Sequence, residues 1–415
     1  MNKRFIKDMK VVLISMITPA SENIRGTSAL PYHLMAERDN SIDVDVYTFN
    51  TNNLDLVKIK QVETELNVSI KCVALPKWYQ WAFKFHLLFL RILLKYPFAN
   101  YLKLPSLYVE EIRSQNPDLI WVMGEELSRV VKQFPASQRV QIGPDVESLY
   151  YYRMMGRRFV MNDVFTYWKC SFMYRKYARM ERSFCTDDNF VYYAVGEEDV
   201  NHLQQLNPKV NAKFLRHPHY EVSILRIKNE ELRIKFHHPK IRLLIAGQYN
   251  LYMKQEADLL NEELRTKSQE LASHYMITFL GKGWEKHVEA LRNVGYEVNH
   301  IKFAPDYIEE ICKHDIQITP ISIGTGTKGK VLDALANGLL VIGTKYALEN
   351  IAVTHGESCV EYKRSSEVID VLMDIIINNN KYEAIAMNGR NMVLKCHDRS
   401  LVSSFLFKMS GVSYV

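Results

Sequence analysis

The residues with the clearest chemical potential lie in one glycine-rich segment, GTGTKGKVLDALANGLLVIGT, at residues 324–344. The segment follows a predicted strand that runs into Pro320. Gly324 and Gly326 allow the backbone to turn tightly, and a helix predicted to begin near Lys328 adds its positive end. Backbone amides, the helix N-terminus and the lysine ammonium together predict a cradle for a diphosphate. The alternative is a plain glycine-rich connection.

Asp333 lies about one and a half turns into the same predicted helix, where its carboxylate could accept hydrogen bonds from a ribose diol. The segment matches neither the GxGxxG fingerprint nor the P-loop pattern. Hydride transfer and ATP hydrolysis are therefore not indicated.

Acidic residues follow two predicted strands in the first half of the chain. Glu125 and Glu126 come directly after LIWVMG, and Asp145 and Glu147 lie in IGPDVES. In open α/β sheets the carboxyl ends of the strands line the ligand crevice, so one of these carboxylates could orient or deprotonate a substrate hydroxyl. The alternative for each is a helix cap or a solvated loop position.

Continuously apolar segments alternate with helical segments, which predicts two α/β units with parallel sheets covered on both faces. The first unit starts with MKVVLISM at residues 9–16 and the second with KIRLLIAGQ at residues 240–248. The pattern breaks at residues 207–220, which predicts a crossing between domains. We expect a first domain at 1–215, a second domain at 216–398 and a tail at 399–415 that crosses back onto the first domain.

Two such Rossmann-like halves, with the segment IxITPxxxGTGTKxKVLDALAxGLLVIGT in the second, resemble the GT-B glycosyltransferases. More specifically, they resemble the retaining glycosyltransferase family 4, the glycosyl transferases group 1. It covers residues 240–395, through LLIAGQ, ITFLGKG and KFAPDYIEEICKHDIQITP, and is weaker over residues 1–218. The resemblance implies the GT-B fold, with two Rossmann-like domains facing each other across a cleft. It also implies that the domain at 1–215 binds the acceptor and the domain at 216–398 binds the donor.

The resemblance also implies a nucleotide-sugar donor, a UDP- or GDP-sugar, as co-substrate, with no separate cofactor. The diphosphate would bind at Gly324, Thr325, Gly326, Thr327 and Lys328, with Lys330 nearby, and the ribose at Asp333. The backbone around Phe303 would contact the base, while Gly26 and Thr27 match a glycine loop in the first domain.

Three positions depart from the family pattern. The family's paired glutamates correspond to Thr325 and Asp333, and an arginine common after the first strand of the second domain is Gln248. Other cations must then neutralise part of the phosphate charge, and Lys254 and Arg25 are the candidates.

The catalytic groups that we predict are Lys328 at the leaving group and Asp145 or Glu125 at the acceptor. No DxD motif follows a strand, so we expect fixed lysines and amides, without a metal ion, to stabilise the departing diphosphate.

Charge is distributed unevenly along the chain. Its 415 residues carry 53 Lys and Arg against 47 Asp and Glu, and the whole excess of six lies in residues 1–218. The stretch 77–103 has five basic residues and no acid, among Trp, Phe, Leu and Ile. As one continuous helix it would place Lys77, Lys84, Arg91 and Lys95 within about 40° of one face. Such a helix suits an anionic membrane surface.

A second basic and aromatic stretch covers residues 150–183. For both stretches the alternative is a core helix with solvated basic edges. Nucleic acid is disfavoured as a partner because the basic residues accompany long aliphatic runs.

The sequence therefore predicts a cytoplasmic enzyme, peripheral to the inner face of the cytoplasmic membrane, since no secretion signal or spanning segment is recognised. It would transfer a sugar to a lipid-linked or saccharide acceptor in polysaccharide or glycolipid biosynthesis. The alternatives are a non-catalytic GT-B binding subunit and a sugar-nucleotide epimerase.

Overall fold

A computed structural model describes residues 9–21, 26–223 and 239–408. The candidate Arg25, the first eight residues and the tail beyond residue 408 lie outside this described part. The described residues form two compact units, one within 1–218 and 399–415 and the other within 219–398. Each unit is built around its own parallel sheet.

Seven parallel strands form the sheet of the first unit, in the order β3-β2-β1-β4-β5-β6-β7. Its central strands are apolar along their whole length because buried clusters cover both faces. The strands are β1 Met9–Ser15, β2 Ile42–Thr48, β3 Ser69–Cys72, β4 Leu119–Met123, β5 Arg139–Gly143, β6 Phe190–Ala194 and β7 Ala212–Phe214.

The helices of the first unit connect these strands or pack on the sheet. They are α1 Gly26–Ala36, α2 Leu56–Leu66, α3 Lys77–Lys84, α4 Ser106–Ser114, α5 Ser128–Val131, α6 Glu147–Met155, α7 Arg158–Met161, α8 Val164–Glu181 and α9 Glu197–Leu206. Short 3₁₀ helices lie at Leu87–Leu93, Phe98–Tyr101 and Glu125–Leu127.

Six parallel strands form the second sheet, in the order β10-β9-β8-β11-β12-β13. They are β8 Ile241–Ala246, β9 Tyr275–Leu280, β10 Glu297–Ile301, β11 Ile316–Thr319, β12 Leu340–Thr344 and β13 Val360–Tyr362. The helices are α10 Lys254–Thr266, α11 Ser268–Leu271, α12 Glu285–Arg292, α13 Tyr307–Ile311, α14 Gly329–Ala336, α15 Lys345–Leu348, α16 Ser365–Ile377 and α17 Asn379–Cys396.

Both sheets reverse their strand order beside their first strand. In the first unit β1 pairs with both β2 and β4, and in the second unit β8 pairs with both β9 and β11. The loops that follow the two strands at such a point diverge to opposite faces of the sheet and leave a crevice, where ligands of open α/β sheets bind. This topology singles out the loops after β1 and β4, and those after β8 and β11.

The short edge strands β7 and β13 are not predicted from the sequence. Strand β7 lies inside residues 207–220, which we interpreted as an irregular crossing, and it pairs with β6 over only three residues. So short a strand carries no periodic signal of its own; it forms because the edge of the sheet offers unpaired backbone groups.

The prediction of one continuous helix across residues 77–103 is wrong. Helix α3 ends at Lys84, His86 adopts a left-handed φ of 53°, and a 3₁₀ helix follows. The chain turns because Phe98 packs 4.9 Å from the ring of Tyr79 and 6.2 Å from that of Phe83. A straight helix would place residues 83 and 98 roughly 22 Å apart, so the four cations do not form the expected stripe.

The basic stretch 150–183 folds as parts of α6, α7 and α8 on the first unit. Lys176 of α8 donates a hydrogen bond to the backbone carbonyl of Arg91, and Arg179 donates to that of Lys95 at 3.1 Å. The two basic and aromatic stretches therefore lie against each other.

A last helix, α18 Arg399–Lys408, packs on α1 of the first unit. Ser403 donates a hydrogen bond to the carbonyl of Leu34 at 2.8 Å, and Arg399 forms an ion pair with Glu37 at 2.9 Å. The ring of Phe407 meets that of the buried Trp121 edge-on. The chain thus returns to its first unit after completing the second.

Within the described ranges, no helix is both long and apolar enough to cross a membrane.

Candidate functional site

The glycine-rich loop of the second unit occupies the position that the topology singles out. It follows β11, beside the loop that follows β8. The two loops are joined by a hydrogen bond of 2.7 Å from the backbone N–H of Ser322 to the carbonyl of Tyr252. Thr344, at the end of β12, donates to the carbonyl of Ile321 at 2.7 Å. The loop is therefore fixed from both neighbouring strands.

The loop ends in a cationic helix N-terminus, as the sequence predicts. Gly326 has a left-handed φ of 60°, and Lys328 is the residue that precedes the first turn of α14. The Lys328 ammonium donates to the backbone carbonyls of Thr325 and Gly326. Asn350 also donates to Gly326, at 3.0 Å. A fixed ammonium beside the positive end of a helix suits a phosphate group.

Gly324 is required by the position of this ammonium. A Cβ atom at residue 324 would lie 2.6 Å from Cε and 2.7 Å from Nζ of Lys328. No side chain fits while the lysine keeps its place. Gly324 is therefore needed because the Lys328 side chain packs against it. Gly326 is the residue with the left-handed backbone conformation.

Two further candidates lie within the first turns of α14. Lys330 is exposed, and its ammonium lies 5.4 Å from the ring centroid of Tyr307. Asp333 is only 1% exposed, and its carboxylate accepts a hydrogen bond from the backbone N–H of Tyr220 at 3.3 Å. The sequence suggested an accessible carboxylate at residue 333, whereas the structure buries it. A ribose contact at Asp333 stays a prediction.

The other donor-binding candidates of the second unit are exposed. Gln248 follows β8, Lys254 is the first residue of α10, and Phe303 follows β10. Lys302, beside Phe303, forms an ion pair with Glu285 at 3.0 Å. All these positions follow the carboxyl ends of parallel strands, so the structure brings them to the same edge of the sheet as the glycine-rich loop.

A cavity of about 230 Å³ lies at the corresponding point of the first sheet. The carboxyl ends of β1, β4 and β5 and the start of α1 surround it. It is lined by Ser15, Met16, Ile17, Thr27, Met123, Gly124, Glu125, Glu126, Pro144, Asp145 and Glu147. All four acids singled out in the sequence line this cavity, and no basic residue among those described does. We call it the acid cavity.

Glu125 is buried. Among the residues described, neither of its carboxylate oxygens has a hydrogen-bond partner of normal geometry. Burial, followed by repulsion from the carboxyls of Glu181 and Glu147, raises the pKa of Glu125 well above its usual range. A protonated Glu125 can donate a hydrogen bond to a ligand, and an ionised one can accept a proton from it.

The pKa values of the two other glutamates of the acid cavity, Glu147 and Glu126, are shifted in the same direction. Burial, followed by repulsion from Asp145 and Glu126, raises the pKa of Glu147 to about 8. Burial also raises the pKa of Glu126, whose carboxylate accepts a hydrogen bond from Tyr177 at 2.9 Å. A carboxyl whose pKa lies near neutrality is matched to general acid–base work.

Sequence reasoning missed the residues behind these acids. Glu181, at the end of α8, accepts hydrogen bonds from the backbone N–H and the hydroxyl of Ser148, and burial raises its pKa to about 7. His202 of α9 lies 2.8 Å from the same hydroxyl, and burial lowers its pKa to about 4. Glu181 and His202 are 33 and 54 residues from Ser148, so no local motif marks the group.

The first-domain glycine loop is described only in part. Gly26 and Thr27 begin α1, and Thr27 lines the acid cavity. A Cβ at Gly26 would meet no atom within 4 Å. Through the described part of the chain, no three His, Cys, Asp or Glu side chains are grouped so as to hold a metal ion.

Comparisons with known proteins agree with this geometry. Residues 240–378 match the family model described as glycosyl transferases group 1. No curated protein sequence matches the chain.

Solved structures match over nearly the whole chain. Anabaena Alr3699/HepE in complex with UDP is 13% identical, with a TM-score of 0.64, covering 97% of this chain and 99% of that chain. The structure of HepE in complex with UDP-glucose matches this chain with 14% sequence identity, a TM-score of 0.62 and the same coverage of both chains. WaaG, a glycosyltransferase involved in lipopolysaccharide biosynthesis, is 14% identical, with a TM-score of 0.58, covering 97% and 100%.

The chain therefore has the GT-B fold, with two parallel-sheet Rossmann-like units, which confirms the predicted fold class. The family match over the second unit, combined with this fold, supports a transferase enzyme that acts on glycosyl groups.

Proposed function

We propose that the protein transfers a sugar from a UDP- or GDP-sugar to a saccharide or lipid-linked acceptor, with retention of anomeric configuration and without a metal ion. The observation that carries the proposal is the Lys328 ammonium, fixed by two loop carbonyls beside the N-terminus of α14. This arrangement suits a nucleoside diphosphate. HepE, which has the same fold, is solved in complex with UDP-glucose.

In the proposed reaction, the bond between the anomeric carbon and the β-phosphate oxygen breaks, and its electron pair leaves with the phosphate. The acceptor oxygen forms the new bond to the anomeric carbon and loses its proton. Negative charge develops on the β-phosphate, where Lys328 and the helix N-terminus stabilise it. The departing phosphate oxygen takes the acceptor proton, as the family resemblance implies.

We further propose that the acid cavity holds the acceptor hydroxyl. Glu125, whose oxygens have no partner of normal geometry among the described residues, would accept a hydrogen bond from that hydroxyl or donate one to it. Asp145 and Glu147 line the same cavity. No cation among the described residues lines it, which favours a neutral sugar hydroxyl over a phosphate as its occupant.

A donor screen tests the central proposal. We expect UDP- or GDP-sugars to raise the melting temperature and to release nucleoside diphosphate when an acceptor is present, with and without EDTA. Ligand binding stabilises the folded state by mass action. A rate abolished by EDTA would contradict the metal-independent mechanism, and no stabilisation by any nucleotide sugar would contradict the donor site.

The same screen separates a second candidate, a GT-B subunit that binds without turnover. Thr325 and Gln248 motivate it, because they stand where the family has charged side chains. Saturable stabilisation by a nucleotide sugar without release of diphosphate would favour this candidate.

We also propose that the first unit binds an anionic membrane surface on the cytoplasmic side. The basic residues of the stretch 77–103 do not form one stripe, because helix α3 ends at Lys84. Residues 78–93 instead expose a dense apolar surface, including Trp81 at 55%, Phe85 at 59% and Phe89 at 68%. Residues 161–168 expose Met161, Val164, Phe165 and Trp168. Exposed aromatic groups beside lysines and arginines are typical of interfacial membrane contacts.

Replacing Trp81, Phe85 and Phe89 together with serine should weaken binding to vesicles of phosphatidylcholine and phosphatidylglycerol at least about tenfold, because apolar area no longer enters the interface. Co-sedimentation measures this binding. The matched control replaces Leu56, Val57 and Leu107 with serine; these apolar residues of the same unit are at least as exposed. Equal losses in both variants would remove the membrane proposal for this surface.

A further inference from the structure

A second cavity of the first unit, of about 320 Å³, has the opposite character to the acid cavity. Among the described residues, its lining contains three cations and no carboxylate. The lining residues are Tyr96, Asn100, Lys103, Arg129, Lys132, Gln133 and Ser183. We call it the basic cavity. Such a cavity concentrates positive potential at one point of the surface.

Arg129 is held in place by aromatic rings alone. Its guanidinium carbon lies 4.3 Å from the ring centroid of Tyr101 and 5.3 Å from that of Tyr96. Among the described residues, neither Arg129 nor Lys103 has an ion pair or a side-chain hydrogen bond. The planar N–H donors of an arginine match a phosphate, so Arg129 is oriented for an anion that the described part of the protein does not supply.

The frame around these cations is rigid. The side-chain amide of Gln133 both accepts from and donates to the backbone of Leu104, at 2.9 Å each. Buried Asn100 donates to Ser128 at 2.8 Å, and the ammonium of Lys132 donates to the carbonyl of Ser183. Little side-chain entropy is then lost when an anion binds.

The basic cavity borders the exposed apolar surface. Tyr96 follows the 3₁₀ helix Leu87–Leu93 by three residues, and within that helix Phe89 is 68% exposed and Leu93 is 79% exposed. Lys95, between the helix and the cavity, places its ammonium 5.5 Å from the ring centroid of Tyr96. An apolar surface and an anion site are therefore adjacent along the chain.

We propose that the basic cavity binds the phosphate of a lipid headgroup, whose acyl or prenyl chains lie along the exposed apolar surface. The proposal rests on the membrane contact proposed above and adds a specific headgroup site to it. Lys103, Arg129 and Lys132 neutralise the phosphate, with Arg129 as its bidentate donor. A phosphate is favoured over a carboxylate because three cations line one cavity and no acid among the described lining residues balances them.

The test compares two vesicle types of equal surface charge. One is phosphatidylcholine with phosphatidic acid, whose added charge is a phosphate, and the other is phosphatidylcholine with oleic acid, whose added charge is a carboxylate. We expect the double variant Lys103→Ala, Arg129→Ala to lose at least about fivefold in affinity for the first and little for the second. Glycerol 3-phosphate should compete with the first vesicles in the wild-type protein.

The control is Lys60→Ala with Lys209→Ala, two exposed lysines of the same unit away from the cavity. If removal of the ring-packed Arg129 lowers the melting temperature, the single variant Lys103→Gln replaces the double variant.

Equal losses in the cavity and control variants, or equal wild-type affinity for both vesicle types, would overturn the proposal. Competition by glycerol 3-phosphate with unchanged vesicle binding of the cavity variant would overturn the lipid source and leave a site for soluble phosphate esters. This outcome is distinct from failure of the apolar surface, which the serine variants report separately.

Discussion

Replacing Lys328 with alanine should lower the rate of sugar transfer at least about 100-fold while the protein stays folded. The ammonium is the one side-chain cation fixed within the glycine-rich loop, and the charge that develops on the β-phosphate needs a donor already in position. A factor of 100 corresponds to about 2.7 kcal/mol of transition-state stabilisation. Initial rates with the best donor of the screen, together with the melting temperature, measure the effect. Full activity in a folded variant would contradict the assigned cradle.

Gly324 provides the matched control for this position. The Cβ of Gly324→Ala would displace the Lys328 ammonium and otherwise meets only Ile321, at 3.9 Å. We expect this variant to lose activity in the wild-type background and to lose little more when Lys328 is already alanine. Such non-additivity in a double-mutant cycle identifies residues that act through one contact. Additive losses would mean that Gly324 serves the loop independently of the lysine.

The sequence was sufficient for those parts of the fold that depend on local pattern. Continuous apolar runs such as Met9–Ser15 predicted the central strands, and the GTGTK segment predicted where a helix N-terminus would meet a loop. Both features are encoded in fewer than about ten neighbouring residues. The same is true of the four acids after β4 and β5, which the sequence placed at strand ends and the structure gathers around one cavity.

The features that the sequence did not predict depend on contacts between distant residues. The helix expected over residues 77–103 is broken because Phe98 returns to pack on Tyr79. The carboxylate of Asp333 is covered by the backbone of Tyr220, 113 positions earlier. Glu181 lies in a basic stretch that suggested a surface, yet it is fully buried against Ser148. Tertiary packing overrides local pattern at each of these points.

Replacing Glu147 with glutamine should stabilise the first unit at alkaline pH and have little effect at pH values near 5. In the folded protein Glu147 keeps its proton up to a pKa of about 8, whereas in the unfolded chain it releases the proton near its usual pKa of 4.5. Between pH 4.5 and 8 the folded state therefore binds more protons than the unfolded state. Its stability is fully present below pH 4.5 and is lost as pH rises through 8.

The difference between the two pKa values corresponds to on the order of 4 kcal/mol of folding stability, which the wild-type protein loses as pH rises from 4.5 to 8. A glutamine does not ionise, so the Glu147→Gln variant keeps this stability. Urea denaturation at several pH values measures it, with tryptophan fluorescence as the signal. Glu110→Gln, on the exposed face of α4, is the control and should follow the wild-type protein at every pH. If Glu147→Gln and wild type respond alike to pH, then Glu147 is ionised in the folded protein at neutral pH. The acid cavity would then carry a negative charge before the acceptor arrives, and Glu147 would be available only as a base.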